Sequence, residues 1–221
     1  LAFLAELAET SVSRLYEHAR ILRDRDLIQQ RGMFRALLPP GISNRLAQVG
    51  LERIPAERAR DWLARIPFRL LKSVAHRLSF LDGIPEAEQI ADEWLSPGGL
   101  VGSPDQLTED LQQIFLYVAP LRPALASECL ERAFMNMDDA QTARLCAPYI
   151  DFLQWLAHDA RVFGPCVTLL IRVRAGTERK SDSKLLHDQF FHLFQAYLSG
   201  THATVEQRIA ILESLLLQPS R

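Results

Sequence analysis

Apolar residues recur at helical spacing along almost the whole chain, and proline, glycine or a capping residue cuts the pattern at short intervals. One stretch departs from it. Between Leu27 and Leu37, two short apolar runs flank Gly32 and read as a small hairpin. Short amphipathic helices are marginal alone and must bury their stripe on a neighbour, so helices joined by tight turns have to stack. The expected fold is therefore all-α: an N-terminal winged helix-turn-helix with a small β wing, followed by an α-helical array of paired helices. The pairs have the length of helical repeat units, but no strict internal repeat is visible. The division this suggests is 1–39 for the winged helix, 40–103 for a helical linker region and 104–221 for the repeat-like array.

At the start, Leu4, Leu7 and Ala8 mark one helix, and Thr10 is the candidate cap of a second running through Val12, Leu15, Ala19 and Leu22. In a DNA reader the second helix would enter the major groove and the wing would touch phosphates. Its candidate contacts are Arg14, His18 and Arg20 on the helix and Arg31 at the wing. Six arginines face five acids between Leu1 and Arg35. Affinity for DNA comes first from phosphate neutralisation, so this electrostatic footprint is weak and nucleic acid is not the expected partner.

Composition narrows the classes further. A net charge of -2 excludes a generally basic nucleic-acid binder, and 48% hydrophobic residues supply an ample core. No apolar run approaches the length of a membrane span, and no signal peptide is recognisable. Cys129, Cys146 and Cys166 are odd in number, widely spaced and mostly on apolar faces, which fits reduced core thiols in a cytoplasmic protein rather than a zinc site. The chain opens at Leu1, inside a periodic helix and without methionine, and reads as a piece of a longer polypeptide.

Further on, the helices are punctuated clearly. Pro39-Pro40 ends the hairpin, and Ile42, Leu46, Val49 and Leu51 form the next stripe. Pro67 separates residues 56–66 from 68–81, the latter with a basic stripe of Arg69, Lys72, His76 and Arg77 that reads as a solvated face. Pro85 opens a helix through Ile90, Trp94 and Leu95. The glycine-rich segment 96–104, SPGGLVGSP, lacks a GxxxxGK[ST] pattern and follows a helix, so it reads as a connector leading to a capping box at Ser103 and Gln106. Asp138 with Gln141, and Thr204 with Gln207, are two further capping boxes, while Pro148 should kink or split the helix around it. Val162 to Ala175 is β-branched yet set among helices, and is expected helical. Residues 176–183 form the most polar stretch and read as an exposed loop. Leu185 to Leu198 carries the last large apolar stripe but one.

No catalytic constellation emerges. Asp151, His158 and Asp159 could hold a metal from one helix, but they read better as a polar face. Ser199, Thr201 and His202 resemble a nucleophile and base only in composition, since a capping loop explains them. Trp62, Trp94 and Trp155 are expected in the core.

Three segments resemble a known group: residues 31–55, RGMFRALLPPGISNRLAQVGLERIP; residues 77–100, RLSFLDGIPEAEQIADEWLSPGGL; and residues 191–212, FHLFQAYLSGTHATVEQRIAIL. In this order they are similar to the region that follows the nucleotide-binding domain in large bacterial STAND NTPases, relatives of NACHT and NB-ARC proteins. The resemblance implies a non-catalytic regulatory and scaffolding segment. An upstream P-loop domain of the same chain binds ATP, the winged helix packs on it as part of the switch, and helical repeats sense a protein trigger and drive homo-oligomerisation, as in antiviral sensors. It makes His18 a candidate nucleotide contact. The segment PPGISNRLA is poorer in histidine than the group's usual helix start, with Gly41 in place, so no histidine role carries over there. The chain holds no Walker A or Walker B sequence and so no ATP cofactor of its own. Two other readings remain open: a winged-helix transcriptional regulator with a helical ligand-binding or dimerisation domain, and a helical-repeat adaptor without an NTPase.

Overall fold

In the computed structural model the described residues are 2–31, 34–37, 39–177, 191–195 and 200–216. They are mostly helical with one β-hairpin, and they divide into two compact units, 1–90 and 91–221. The division expected at 39/40 thus falls inside the first unit. Gly32 of the hairpin turn, residues 178–183 of the polar stretch, and Leu185, Leu186, Phe190, Tyr197, Leu198 and Ser199 lie outside the described residues.

The first unit opens with α1 (Ala2–Leu7), α2 (Val12–Asp24) and the antiparallel strands β1 (Ile28–Arg31) and β2 (Phe34–Leu37), in register Ile28 to Leu37 and Arg31 to Phe34. The cap of α2 is Ser11, not Thr10. Ser11 Oγ accepts from the Arg14 N–H at 3.2 Å, whereas the Thr10 N–H donates back to the Ala5 carbonyl at 2.9 Å to close the turn. Helices α3 (Pro40–Arg53), α4 (Ala56–Arg65) and α5 (Phe68–Leu78) follow, each beginning at or just after a proline. Phe3 stacks on Trp62 at 6.3 Å, and Arg65–Glu6 and Arg58–Glu9 pair at 2.7 Å each, which ties the start of the chain to α4. Arg77 donates to Asn44 Oδ1 and joins α5 to α3. Two members of the expected basic stripe therefore have neighbours: Arg77 has this bond, and the His76 ring meets Phe80 edge-on at 5.0 Å.

Helix α6 (Pro85–Leu95) crosses the boundary between the units. In the second unit the glycine-rich segment folds back on the end of α6. A Cβ on Gly99 would lie 2.2 Å from the Glu93 carbonyl oxygen, and one on Gly102 would lie 2.0 Å from that of Ser96, so only glycine fits. The N–H groups of Gly99, Val101 and Gly102 donate to the carbonyls of Ser96, Trp94 and Gly99, so the segment closes on itself and on the end of α6. The capping box expected at Ser103 does not form: Pro104–Gln106 is a single 3-10 turn without a side-chain cap, and Gln106 bonds Asp105 instead.

Next come α7 (Glu109–Val118), α8 (Pro123–Phe134), α9 (Asp139–Cys146), α10 (Ile150–Leu156) and α11 (Phe163–Ala175); residues 191–194 are helical, and α12 (Val205–Leu216) closes the array. Asp138 caps α9 by accepting from the Gln141 N–H at 2.7 Å. Thr204 and Gln207 form the reciprocal box at α12, with bonds of 2.9 and 3.2 Å. Pro148 splits its helix into α9 and α10 through a 3-10 turn, as proline's missing N–H requires. That turn sets Tyr149 in the core with no exposure, its ring edge-on to Phe115 at 5.2 Å and its Oη donating to the Pro104 carbonyl at 3.0 Å. Arg172 on α11 donates to the carbonyls of Phe134 and Met137 and pairs with Asp139 at 3.1 Å, satisfying the end of α8 beside the start of α9.

Cys129, Cys146 and Cys166 are free and buried, and burial pushes their thiols up to about 11, 12 and 11. Thiolate is the reactive form, so at pH 8 none should react with Ellman's reagent until the second unit unfolds, when all three titrate together. Replacing Tyr149 with Phe leaves the Pro104 carbonyl buried and unpaired and should cost about 1–3 kcal/mol, against about 3–5 kcal/mol for Tyr149→Ala, measured by urea unfolding.

Candidate functional site

The deepest concentration of chemistry in the second unit is where the chain turns from α10 into α11. Leu156 ends α10, and the Asp159 N–H bonds the Leu156 carbonyl at 2.9 Å, so the chain curls over and sets His158 and Asp159 beyond the helix. Asp151, by contrast, stays in the first turn of α10, exposed. The grouping of Asp151, His158 and Asp159 on one helix is therefore corrected. Among the described residues no three His, Cys, Asp or Glu side chains gather as metal ligands.

A second strand of chain returns to this turn. Thr201 Oγ1 donates to the Ala157 carbonyl at 2.7 Å, the His202 N–H to the His158 carbonyl at 2.9 Å, and Gln207 Nε2 to the Ala160 carbonyl at 3.0 Å. Thr201 and His202 thus tie the approach to α12 onto the turn. Capping is done by Thr204 and Gln207. Together with Pro123, Trp155, Leu156 and Ala160, the residues His158, Asp159 and His202 line a hollow of about 490 Å³. Trp155 is half-exposed here rather than in the core, stacked on Phe152 at 5.6 Å and 18°, whereas Trp94 is buried as expected. Sequence order gives no sign of this meeting, because the two histidines lie far apart in the chain, one in the turn after α10 and one before α12, and packing decides that these segments meet.

Asp159 is locked by Arg161. Its carboxylate accepts from Arg161 Nη2 at 2.6 Å, twice from Nε at 3.1 Å and from the backbone N–H at 2.9 Å, and these bonds hold its pKa below the ordinary carboxylate value.

The DNA-reading candidates lie in the first unit. Helix α2 buries no residue; Arg14, His18 and Arg20 are all exposed. Arg14 and His18 stand one turn apart on a shared side, while helical geometry turns Arg20 about 120° away from Arg14. Arg31 ends β1, in the hairpin. The unit carries 14 Lys and Arg against 11 Asp and Glu, a thin basic excess.

Compared with known proteins, the chain matches no family model, no curated protein and no solved structure.

Because Arg161 depresses the Asp159 pKa, the turn gains stability above the ordinary carboxylate value of about 3.9 and loses it as pH falls through the lower folded value. Arg161→Ala should raise the Asp159 pKa towards that ordinary value, read from its side-chain carboxyl shift in an NMR titration.

Proposed function

We propose that this chain is a non-catalytic regulatory and scaffolding segment of a STAND-type signalling NTPase, acting in defence against phage. In this reading α1, α2 and the hairpin are a winged helix that packs on an upstream ATP-binding domain. The helical second unit passes trigger sensing to that switch. ATP belongs to the upstream domain, and the work of this segment is contact rather than chemistry.

One observation carries the reading: α2 and α3 of the first unit leave several large apolar side chains uncovered. Val12, Tyr16 and Ile21 on α2 are 45%, 52% and 41% exposed, and Ile42 and Leu46 on α3 are 49% and 53% exposed. The stripe that α3 should bury is only half used. Val49 and Leu51 are partly covered, and α3 buries only Ser43 fully. Between α3, α4 and α5 lies an almost wholly apolar hollow of about 200 Å³, beside which the Trp62 indole N–H is buried with no hydrogen-bond partner among the described residues. Apolar surface of this kind marks a docking face. Fully burying one such side chain is favourable by about 1.5–3 kcal/mol, so several together support a stable interdomain contact.

The exposure of Arg14 and His18 favours a second reading, a winged-helix DNA-binding regulator, and the two readings separate experimentally. The chain should neither bind ATP nor retard duplex DNA at physiological salt, and, expressed separately, it should co-purify with the segment encoded immediately upstream in the same reading frame, which should carry a GxxxxGK[ST] loop. The double substitution Ile42→Asp and Leu46→Asp should abolish that association while changing the stability of the isolated chain by only about 0.5 kcal/mol, as for exposed sites generally. Tight, salt-sensitive DNA binding lost in Arg14→Ala and Arg20→Ala would establish the regulator instead. Association with a neighbour that lacks a P-loop would make the chain a helical-repeat adaptor.

A further inference from the structure

We infer that the hollow between Trp155, His158, His202 and Pro123 is a binding site for a planar aromatic ring with a hydrogen-bonding edge. The inference is independent of the STAND reading, since it rests on the second unit alone. Trp155 is the first ground. Burying an indole is strongly favourable, yet this one is 50% exposed, held flat by its stack on Phe152 and turned towards a hollow of about 490 Å³. That volume falls in the range of about 300–1,000 Å³ usual for small-molecule sites.

The polar wall is the second ground. Three hydrogen bonds, from Thr201, His202 and Gln207 to the carbonyls of Ala157, His158 and Ala160, fasten the two segments that carry the histidines, so the wall is formed before any ligand arrives. They use up the backbone acceptors of the turn. The imidazoles of His158 and His202 both line the hollow, and His202 lies near enough to Asp159 to act on its charge, so the wall offers ring nitrogens as well as apolar surface. Gly200 stands directly against the His158 ring, where a Cβ would lie 2.9 Å from its Cε1.

Charge decides the class of ligand. An aromatic wall beside a carboxylate would suit a quaternary ammonium ion, but Asp159 is neutralised by Arg161 through bonds of 2.6–3.1 Å. A neutral flat ring stacked on Trp155, with donors or acceptors directed at the histidines, satisfies every group that the hollow presents.

The ring can come from a free heteroaromatic molecule or from an aromatic side chain of a peptide. Four probes separate the cases: adenosine, N-acetyltryptophanamide, the saturated analogue cyclohexanecarboxamide, and tetramethylammonium. The readout is the indole N–H resonance of Trp155 in a proton–nitrogen NMR titration, assigned with Trp155→Phe. At least one aromatic probe should move it saturably while the saturated amide and the cation do not; adenosine alone indicates a free ligand, and N-acetyltryptophanamide alone indicates a side chain. Stacking losses on removal of an aromatic correspond to about 5- to 150-fold in affinity. A fall of that size is expected in Trp155→Ala, followed by probe-observed saturation transfer, and a smaller fall in His202→Ala and in Gly200→Ala, which shifts the His158 ring without removing it. Because Trp155 and His202 are exposed, these variants should fold, which circular dichroism checks. An unmoved Trp155 resonance with both aromatic probes, equal binding of the saturated amide or the cation, or wild-type affinity in the variants would overturn the inference.

Discussion

The buried ring of Tyr149 is the point on which the second unit depends. It lies against Phe115 and Phe134, at 5.2 and 6.3 Å, while Phe115 also meets Phe152 at 6.0 Å, so residues of α7, α8, α10 and the turn before α10 share one aromatic cluster. Its hydroxyl reaches the Pro104 carbonyl and secures the segment that enters α7. A residue can occupy that place only if the helix before it stops, and Pro148 stops it. The same break sets the direction of α10 and hence where Trp155, His158 and Asp159 emerge. The hollow is in this sense a consequence of one proline and one tyrosine.

The first unit is held differently. Its long-range ties include a stacked Phe3–Trp62 pair, the Arg77–Asn44 bond and the ion pairs Arg58–Glu9 and Arg65–Glu6, whose four charged side chains are at least half-exposed. Exposed pairs of this kind contribute about 0–1 kcal/mol each. They can orient a helix, but they do not replace a core. Small residues and a few leucines, among them Ala5, Ala59, Leu63, Leu71 and Ala75, supply the burial there, while Val12, Tyr16 and Ile21 of α2 and Ile42 and Leu46 of α3 are exposed. Exposed apolar side chains occur in the second unit as well, at Trp155 and along α12 at Val205, Ile209 and Leu212, so each unit has its own uncovered apolar surface.

Much of the secondary structure was legible because its signals are local. Asp138 with Gln141 and Thr204 with Gln207 place their oxygens on N–H groups three residues away, which any reader of the chain can anticipate. The hairpin about residue 32, the break at Pro148 and the helical character of Phe163–Ala175 follow from similarly short-range rules. Where neighbouring residues compete, the rules fail by a residue or two. Ser11, not Thr10, directly precedes Val12 and so sets its Oγ on the Arg14 N–H, and Ser103 caps nothing because Pro104–Gln106 is a single 3-10 turn.

By itself the sequence determined the alternation of short helices and breaks, the burial of three unpaired thiols and the reading of residues 96–104 as a connector. These depend on side-chain pattern and on backbone groups within a few residues of one another. Only the tertiary structure decided that Trp155 stands half in solvent and not in the core, that Ile42 and Leu46 are uncovered, and that His158 and His202 share one wall. Helical periodicity says which residues lie on one side of a helix. What covers that side belongs to another part of the chain, and nothing local to the stripe records it.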